Sequence, residues 1–280
     1  MTDTAARLSV IVPASNEAGR IGACLAALAG SSWHLPEPPE VIVVENGSTD
    51  GTAEVARGAG AALEARGWRC RVLEAESLGK PAALNAGDAV AEAQARLYLD
   101  ADVTVAPDLL EAVARALDTS APRFVSGRLR ITAPESFASR AYARYWAQVP
   151  FMAETVPGCG LFAVNAAGRA RWDTFPEIIS DDTFARLSFA PGERRAVAAP
   201  YDWPVVAGFP ALVRVRARQN RGVAEVHTRW PERARNDDHR PFPLHRKLRL
   251  ALGDPVAFAV YSSVALLARL NPGQGWSRGR

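Results

Sequence analysis

The chain has 280 residues, 48% of them hydrophobic and 22% charged, which allows one large buried core and excludes a disordered, collagen-like or fibrous protein. A formal charge of +3 and a pI near 9.0 are too mild to call for nucleic acid as a partner. Cys24, Cys70 and Cys159 are far apart and form no CxxC pair, so neither a disulfide framework nor a zinc site is expected, and a reducing compartment fits.

The N-terminal stretch MTDTAARLSVIVPA lacks the basic-then-apolar pattern of a signal peptide, and the protein is expected on the cytoplasmic side. Over residues 1–120, short apolar runs at 8–12, 41–44, 70–73 and 97–99 predict strands. Alanine-rich stretches at 17–29, 52–65, 81–95 and 109–117 predict the intervening helices. Strand and helix alternating at this spacing predict βαβ units and an α/β fold with a parallel sheet covered on both faces. In such sheets ligands bind at the carboxyl ends of the strands.

From residue 121 the pattern changes to mixed α and β. FVSGRLRI alternates with period two and predicts an exposed edge strand, and residues 142–152 (YARYWAQVPFM) predict a helix under a groove. PGCGLFAVN, EIISDDTFARL and the arginine-rich RVRARQNRG follow, with no linker before about residue 229. The Pro- and charge-rich PERARNDDHRPFPLHRK reads as a linker. Between positions 214 and 249 eleven Lys or Arg residues face four Asp or Glu, a bias that suits phosphate or an anionic membrane surface and equally a solvated face. Residues 255–268 contain no charge but fall short of the roughly 20 needed to span a bilayer. They predict a C-terminal helix that docks on protein, lies at a membrane surface or is a span cut short. The expected organisation is therefore a domain over 1–229, with halves 1–120 and 121–229, and a basic, helical tail over 230–280.

The strand ends carry the chemistry. They read PASNE, ENGSTDGT, EAESLGKPAALNAG and DADVTV. In the last, Asp100 and Asp102 lie two positions apart at the end of an apolar strand, on one side if the segment is extended. At about 5 Å and an effective dielectric near 20 their repulsion is roughly 3 kcal/mol. Either water solvates them at a turn, or a cation belongs there. As hard oxygen donors they suit Mg²⁺ or Mn²⁺, which take one or two carboxylates plus substrate phosphates. Lys80, one of only two lysines among 33 basic residues, supplies a compact charge near the same edge. No GxGxxG follows the first strand, and Glu74 and Pro81 exclude a P-loop around Gly79-Lys80.

The ordered set VIVPASNE, VVENGSTDGT, GKPAALNAG and YLDADV, continued by PGCGLFAV, SDDTFARL and more weakly RARQNRG, resembles family 2 glycosyltransferases over residues 8–222. That resemblance implies a GT-A fold, with a Rossmann-like nucleotide-binding half, a mixed central sheet and a helical tail here. It implies a nucleotide-sugar donor, a glycan or lipid-linked acceptor and inverting transfer. Pro13 and Glu17 match the motif shaping the nucleotide pocket, Glu45 the acid at the base or ribose, and Lys80 the lysine beside base and phosphates. Asp100 and Asp102 match the DxD pair, with Asp102 as direct metal ligand. Asp182 matches the catalytic base, and Asp181 takes the place of the usual preceding Glu. An aromatic-plus-arginine motif usual near position 221 is reduced to RQNRG, without Trp.

Further residues carry two readings each. Arg218 and Arg221 grip the diphosphate or sit on the surface, and Trp146 stacks on an acceptor or packs the core. Gly158, Cys159 and Gly160 form a tight loop facing the acceptor, and His227 is a further metal ligand or structural. Two other classes compete with a glycosyltransferase: a nucleotidyltransferase on a related fold, and a non-catalytic nucleotide-sugar-binding or assembly protein.

Overall fold

The computed structural model describes residues 7–76 and 79–270. In chain order the elements are β1 (Leu8–Ala14), α1 (Ala18–Ala29), β2 (Glu40–Asn46), α2 (Thr52–Glu64), β3 (Arg69–Ala75), α3 (Lys80–Val90), β4 (Ala95–Leu99), β5 (Thr104–Val105) and α4 (Leu109–Leu117). Next come β6 (Phe124–Thr132), α5 (Phe137–Trp146), α6 (Pro150–Glu154), β7 (Leu161–Val164), α7 (Ala166–Arg169), α8 (Asp181–Leu187) and β8 (Arg194–Pro204). The chain continues through α9 (Phe209–Arg229), α10 (Pro231–Ala234), α11 (Leu244–Gly253) and α12 (Pro255–Leu270). Two compact units result. One holds Met1–Arg128, Gly158–Glu177 and Ser188–Tyr201; the other holds Leu129–Pro157, Ile178–Leu187 and Asp202–Arg280.

The first unit is built on a mixed sheet of order β3-β2-β1-β4-β7-β6-β8-β5. β3, β2, β1 and β4 run parallel, and β7 is antiparallel to both β4 and β6. β1 and β2 are near-continuous apolar runs because helices cover both faces. Their register pairs Ala14 with Glu45, and Glu45 with Glu74, so the polar loops leave the sheet at one level. Pro13 lies beyond the β1–β4 rungs, which end at Ile11 and Tyr98, where a missing N–H is tolerated. α3 rides close on β1, since a Cβ at Gly87 would lie 2.5 Å from Ile11 Cγ2.

At the opposite end of these strands Glu40, 1% exposed, accepts hydrogen bonds from Ser9 Oγ (2.6 Å), Arg71 (2.6 Å) and the Glu92 amide (2.6 Å). This network corrects the expected helix over 81–95. By capturing the Glu92 and Ala93 amides, Glu40 ends α3 at Val90. The expected edge strand is corrected too, since β6 lies between β7 and β8; its first four residues are buried and only the remainder is more open.

The second unit is helical around a core of Tyr142, Trp146, Leu212 and Val264, extended by Ala141, Tyr145 and Ala257. The single helix expected over 142–152 is two, α5 and α6, because Val149, preceding Pro150, is held extended. The supposed linker is tied down as well. Arg186, 2% exposed, forms ion pairs with Asp237 (3.6 Å) and Asp238, and donates to Val156 O at 3.1 Å. Asn236 also donates to Leu187 O at 2.9 Å. α12 buries Ala257, Val264 and Ala268 and packs on α5 and α9.

Hydrogen bonds from Ser9, Arg71 and the Glu92 and Ala93 amides outweigh burial and hold the Glu40 carboxyl below the usual carboxylate value. Its contribution to stability is thus complete above the unfolded-state value and is lost as pH falls through the lower folded value. Glu40→Ala leaves Ser9 Oγ and the Glu92 and Ala93 amides without this acceptor, while Arg71 keeps Val90 O and Glu92, and is expected to cost about 1–3 kcal/mol at neutral pH. Urea unfolding from neutral to acid pH checks this: the wild type should lose its advantage over the variant as Glu40 protonates.

Candidate functional site

Asp100 follows the last residue of β4, and its amide donates to Gly160 O at 2.8 Å. Val103 N returns to Asp100 O at 3.0 Å, so Asp100 and Asp102 sit on a hydrogen-bonded turn. This corrects the extended geometry expected from sequence, because the chain turns directly after Leu99. Lys80, the first residue of α3, places Nζ 2.8 Å from Asp100 Oδ1. Both side chains are about one-third exposed, at 35% and 31%, so the pair faces solvent. Behind them, burial first and then the Asp102 and Asp100 charges push the Cys24 thiol far up, so it packs as a neutral side chain.

Two neighbouring loops are laced together. Asn16, at φ 56°, donates its amide to Ser48 Oγ (2.9 Å) and accepts from Thr49 N (3.0 Å). The Glu17 amide donates to Thr52 Oγ1 (2.9 Å), and the Ala18 amide to Asp50 (3.1 Å). The Thr52 hydroxyl, with the Ala18 and Thr52 amides, holds the Asp50 carboxyl below its ordinary value. Glu45, 6% exposed, accepts from the Ser48 amide and so shapes its own loop, and Glu17 pairs with Arg20 at 3.2 Å.

The placement of Lys80 depends on how α3 is fixed. Asn85 exchanges two hydrogen bonds with the Phe175 backbone, at 2.9 and 2.7 Å. Asp88 accepts from Tyr98 Oη (2.9 Å) and from Arg169 (3.0 Å), and Arg169 also donates to Asp173 O (2.8 Å). None of these positioning residues was singled out from sequence. Asn85 and Asp88 lie in the quoted GKPAALNAG and just after it, but their partners Phe175 and Arg169 are 90 and 81 residues away.

Gly158 and Gly160 have φ of 71° and 70°, confirming a tight loop, and Cys159 O accepts from Tyr201 Oη at 2.8 Å. In the second unit Asp181 and Asp182 open α8; Asp181 is 3% exposed, and Asp182 accepts from the Thr183 amide at 2.7 Å. Arg218 and Arg221 lie half-buried on α9. Trp146 is spent on the core, buried between Tyr142 (5.2 Å) and Trp203 (5.3 Å), rather than held open as an acceptor platform. His227 lies 3.4 Å from Asp237, and no group of three or more His, Cys, Asp or Glu among the described residues is placed to hold a metal.

A family model described as glycosyl transferase family 2 matches residues 9–221. The chain belongs to glycosyl transferase family 2. Among curated relatives, glycosyltransferase AglE of Haloferax volcanii is 33% identical over 135 residues, covering 48% of this chain and 43% of that protein. The match thus spans less than half of that relative's length. Among solved structures, mannosyltransferase PcManGT of Pyrobaculum calidifontis, in complex with GDP-Man and Mn²⁺, gives a TM-score of 0.59 at 22% identity. That alignment covers 95% of this chain and 76% of the other. Glucosyl-3-phosphoglycerate synthase of Mycobacterium tuberculosis, with Mn²⁺, UDP and glucosyl-3-phosphoglycerate, gives 0.53 at 19% identity over 81% of each chain. S. aureus TarS 1–349 with UDP gives 0.54 at 16%, over 98% and 95%. The mixed sheet is that of a GT-A fold.

In this family member the glycine that ends RQNRG has a steric reason. A Cβ on Gly222 would clash with Ser180 Oγ and lie 2.9 Å from Ile179 Cγ2, so α9 leaves no room for a larger side chain at this position. Glu225, one turn on, accepts the Ile179 amide at 3.2 Å. Together they set the segment that leads into Asp181 and Asp182. Gly222→Ala is expected to cost about 1–3 kcal/mol by overpacking. Gly58→Ala, on α2 with nothing within 4 Å of its Cβ, should be neutral or mildly stabilising. Thermal melts of the two variants side by side check the contrast.

Proposed function

We propose that this chain is an inverting glycosyltransferase that moves a sugar from a nucleoside-diphosphate sugar to an acceptor hydroxyl. The observation that carries this is the Lys80–Asp100 pair, 2.8 Å apart at the carboxyl end of the parallel strands, with Asp102 on the same turn. A divalent cation fits this donor set. Two hard carboxylates on one turn are what Mg²⁺ or Mn²⁺ takes when substrate phosphates complete its coordination, and three protein ligands are not required. Asp102 would hold the ion with Asp100 beside it, and the bound ion would supply charge stabilisation to the departing diphosphate.

The remaining steps belong to the chain's own residues. Lys80 exchanges its Asp100 partner for the diphosphate and stabilises charge as it develops. Glu45 and Glu17, on the laced loops, orient the nucleoside, and Pro13 shapes its floor. Arg218 and Arg221, assigned from their place in the family motif, are read as gripping the diphosphate. Asp182, assigned from its place in the family motif, takes the proton of the acceptor hydroxyl as it attacks the anomeric carbon opposite the leaving group. Such positioned base catalysis is worth about 10²–10⁴ in rate. Gly158, Cys159 and Gly160 form the loop that faces the acceptor.

The acceptor is assigned as a glycan or lipid-linked glycan and the working location as the cytoplasmic face of the membrane. The basic, partly apolar tail supports this. No helix among the described residues is long and apolar enough to cross a membrane.

Asp102→Ala is expected to abolish the Mn²⁺-dependent thermal shift produced by nucleotide-sugars, since ligand binding raises apparent stability. Asp182→Asn should reduce transfer by about 10²-fold or more with that shift retained. Near-normal turnover in Asp182→Asn would overturn the base assignment. Release of pyrophosphate from a nucleoside triphosphate, instead of a nucleoside diphosphate from the donor, would overturn the transfer reading.

A further inference from the structure

α11 carries Leu244, Leu248 and Leu252, which are 70%, 55% and 84% exposed, and no residue of the helix is buried. At about 100° per residue the three leucines lie within one arc of about 80°. His245 and Arg249 border that arc on one side and Lys247 on the other; all three are exposed and the helix has no acid. The opposite side is the one that holds α11 to its unit. Arg246 pairs with Glu154 and reaches Gln148 O, and Leu250 packs with Ala141, Tyr145 and Ala257. The outward leucines are therefore not a frayed core face. α12 continues the pattern, with Val256, Leu266 and Leu270 exposed and Ala257, Val264 and Ala268 buried.

We infer that the Leu244–Leu248–Leu252 stripe is a docking surface for an anionic lipid bilayer, on which α11 lies in the interface plane. Charge complementarity decides the occupant. An apolar stripe with cations on both sides matches a membrane carrying acidic headgroups, with the leucines about 5–10 Å deep and the Lys and Arg heads at phosphate level. Self-pairing of two copies would instead set His245, Lys247 and Arg249 of one against the same cations of the other. The inference gives the membrane-face reading of the proposed function a specific element, and its test is separable from donor chemistry.

The test uses the full chain with sedimenting vesicles of phosphatidylcholine, with and without about one-third phosphatidylglycerol, at low and high salt. Wild type should pellet with the anionic vesicles, at least about tenfold less with neutral ones, and less at high salt. The triple variant Leu244→Gln, Leu248→Gln, Leu252→Gln, and separately Lys247→Glu with Arg249→Glu, should each lose at least about tenfold in partitioning. Both should keep the wild-type melting temperature and the nucleotide-sugar shift with Mn²⁺. Wild type remaining in the supernatant, or a triple variant that still pellets, would overturn the docking surface and leave the transfer reading standing. A lipid-free dimer that the triple variant dissolves would overturn it in favour of a second copy. Vesicle binding without any donor shift would uphold the surface and count against the transfer reading.

Discussion

Charge crowding at the carboxyl end of the four parallel strands of the mixed sheet is the constraint on which the first unit depends. The register that pairs Ala14, Glu45 and Glu74 brings acids from neighbouring strands to one level, and the turn after β4 adds Asp100 and Asp102. Each is stabilised locally. The Ser48 amide meets Glu45, the Ala18 and Thr52 amides meet Asp50, and Lys80 meets Asp100. Backbone amides cannot leave when a ligand arrives, but the end of a lysine side chain can. The Lys80–Asp100 pair is therefore the exchangeable member of the set. At about one-third exposure it is a weak, solvent-screened interaction, as the proposed exchange of Asp100 for a diphosphate requires.

An exchangeable cation needs a fixed base, and the fold supplies one through α3. Gly87 lets the helix sit directly on Ile11, Asn85 ties it to the Phe175 backbone, and Asp88 ties it to Tyr98 and Arg169. At the far end Glu40 takes the amides beyond Val90, so the helix can neither lengthen nor slide. The Cα of Lys80, at the start of α3, is thus held in place.

What could be read from sequence follows from where the cause of each feature lies. β1, β2 and β4 were legible because burial on both faces makes them near-continuous apolar runs, and α4 was legible to the residue because its apolar periodicity is local. The end of α3, the interior position of β6 and the turn at Asp100 were not legible. Each is imposed by a partner far along the chain: Glu40, the flanking strands β7 and β8, and Gly160. The apparent linker misled for the same reason. Asp237 and Asp238 look like solvated charge until Arg186, about 50 residues earlier, is found buried between them. Of the candidate site, the identities of the acids and of Lys80 were legible, but the hydrogen bonds that hold them were not.

The division between arginine and lysine carries the last step. Thirty-one arginines serve partly as fixed cross-links: Arg186 to Asp237 and Asp238, Arg169 to Asp88 and two backbone oxygens, and Arg216 over Trp146 at 5.7 Å and Tyr261 at 5.9 Å. A planar fork with five donors suits a contact made once on folding. The two lysines stand elsewhere, Lys80 beside Asp100 and Lys247 on the border of the leucine stripe. A compact ammonium on a flexible stem can swing from carboxylate to phosphate, or rise to headgroup level, without breaking a bidentate geometry. In a chain that so strongly prefers arginine, the two positions that use lysine are the two where the proposed transfer and the proposed docking surface call for a charge that changes partner.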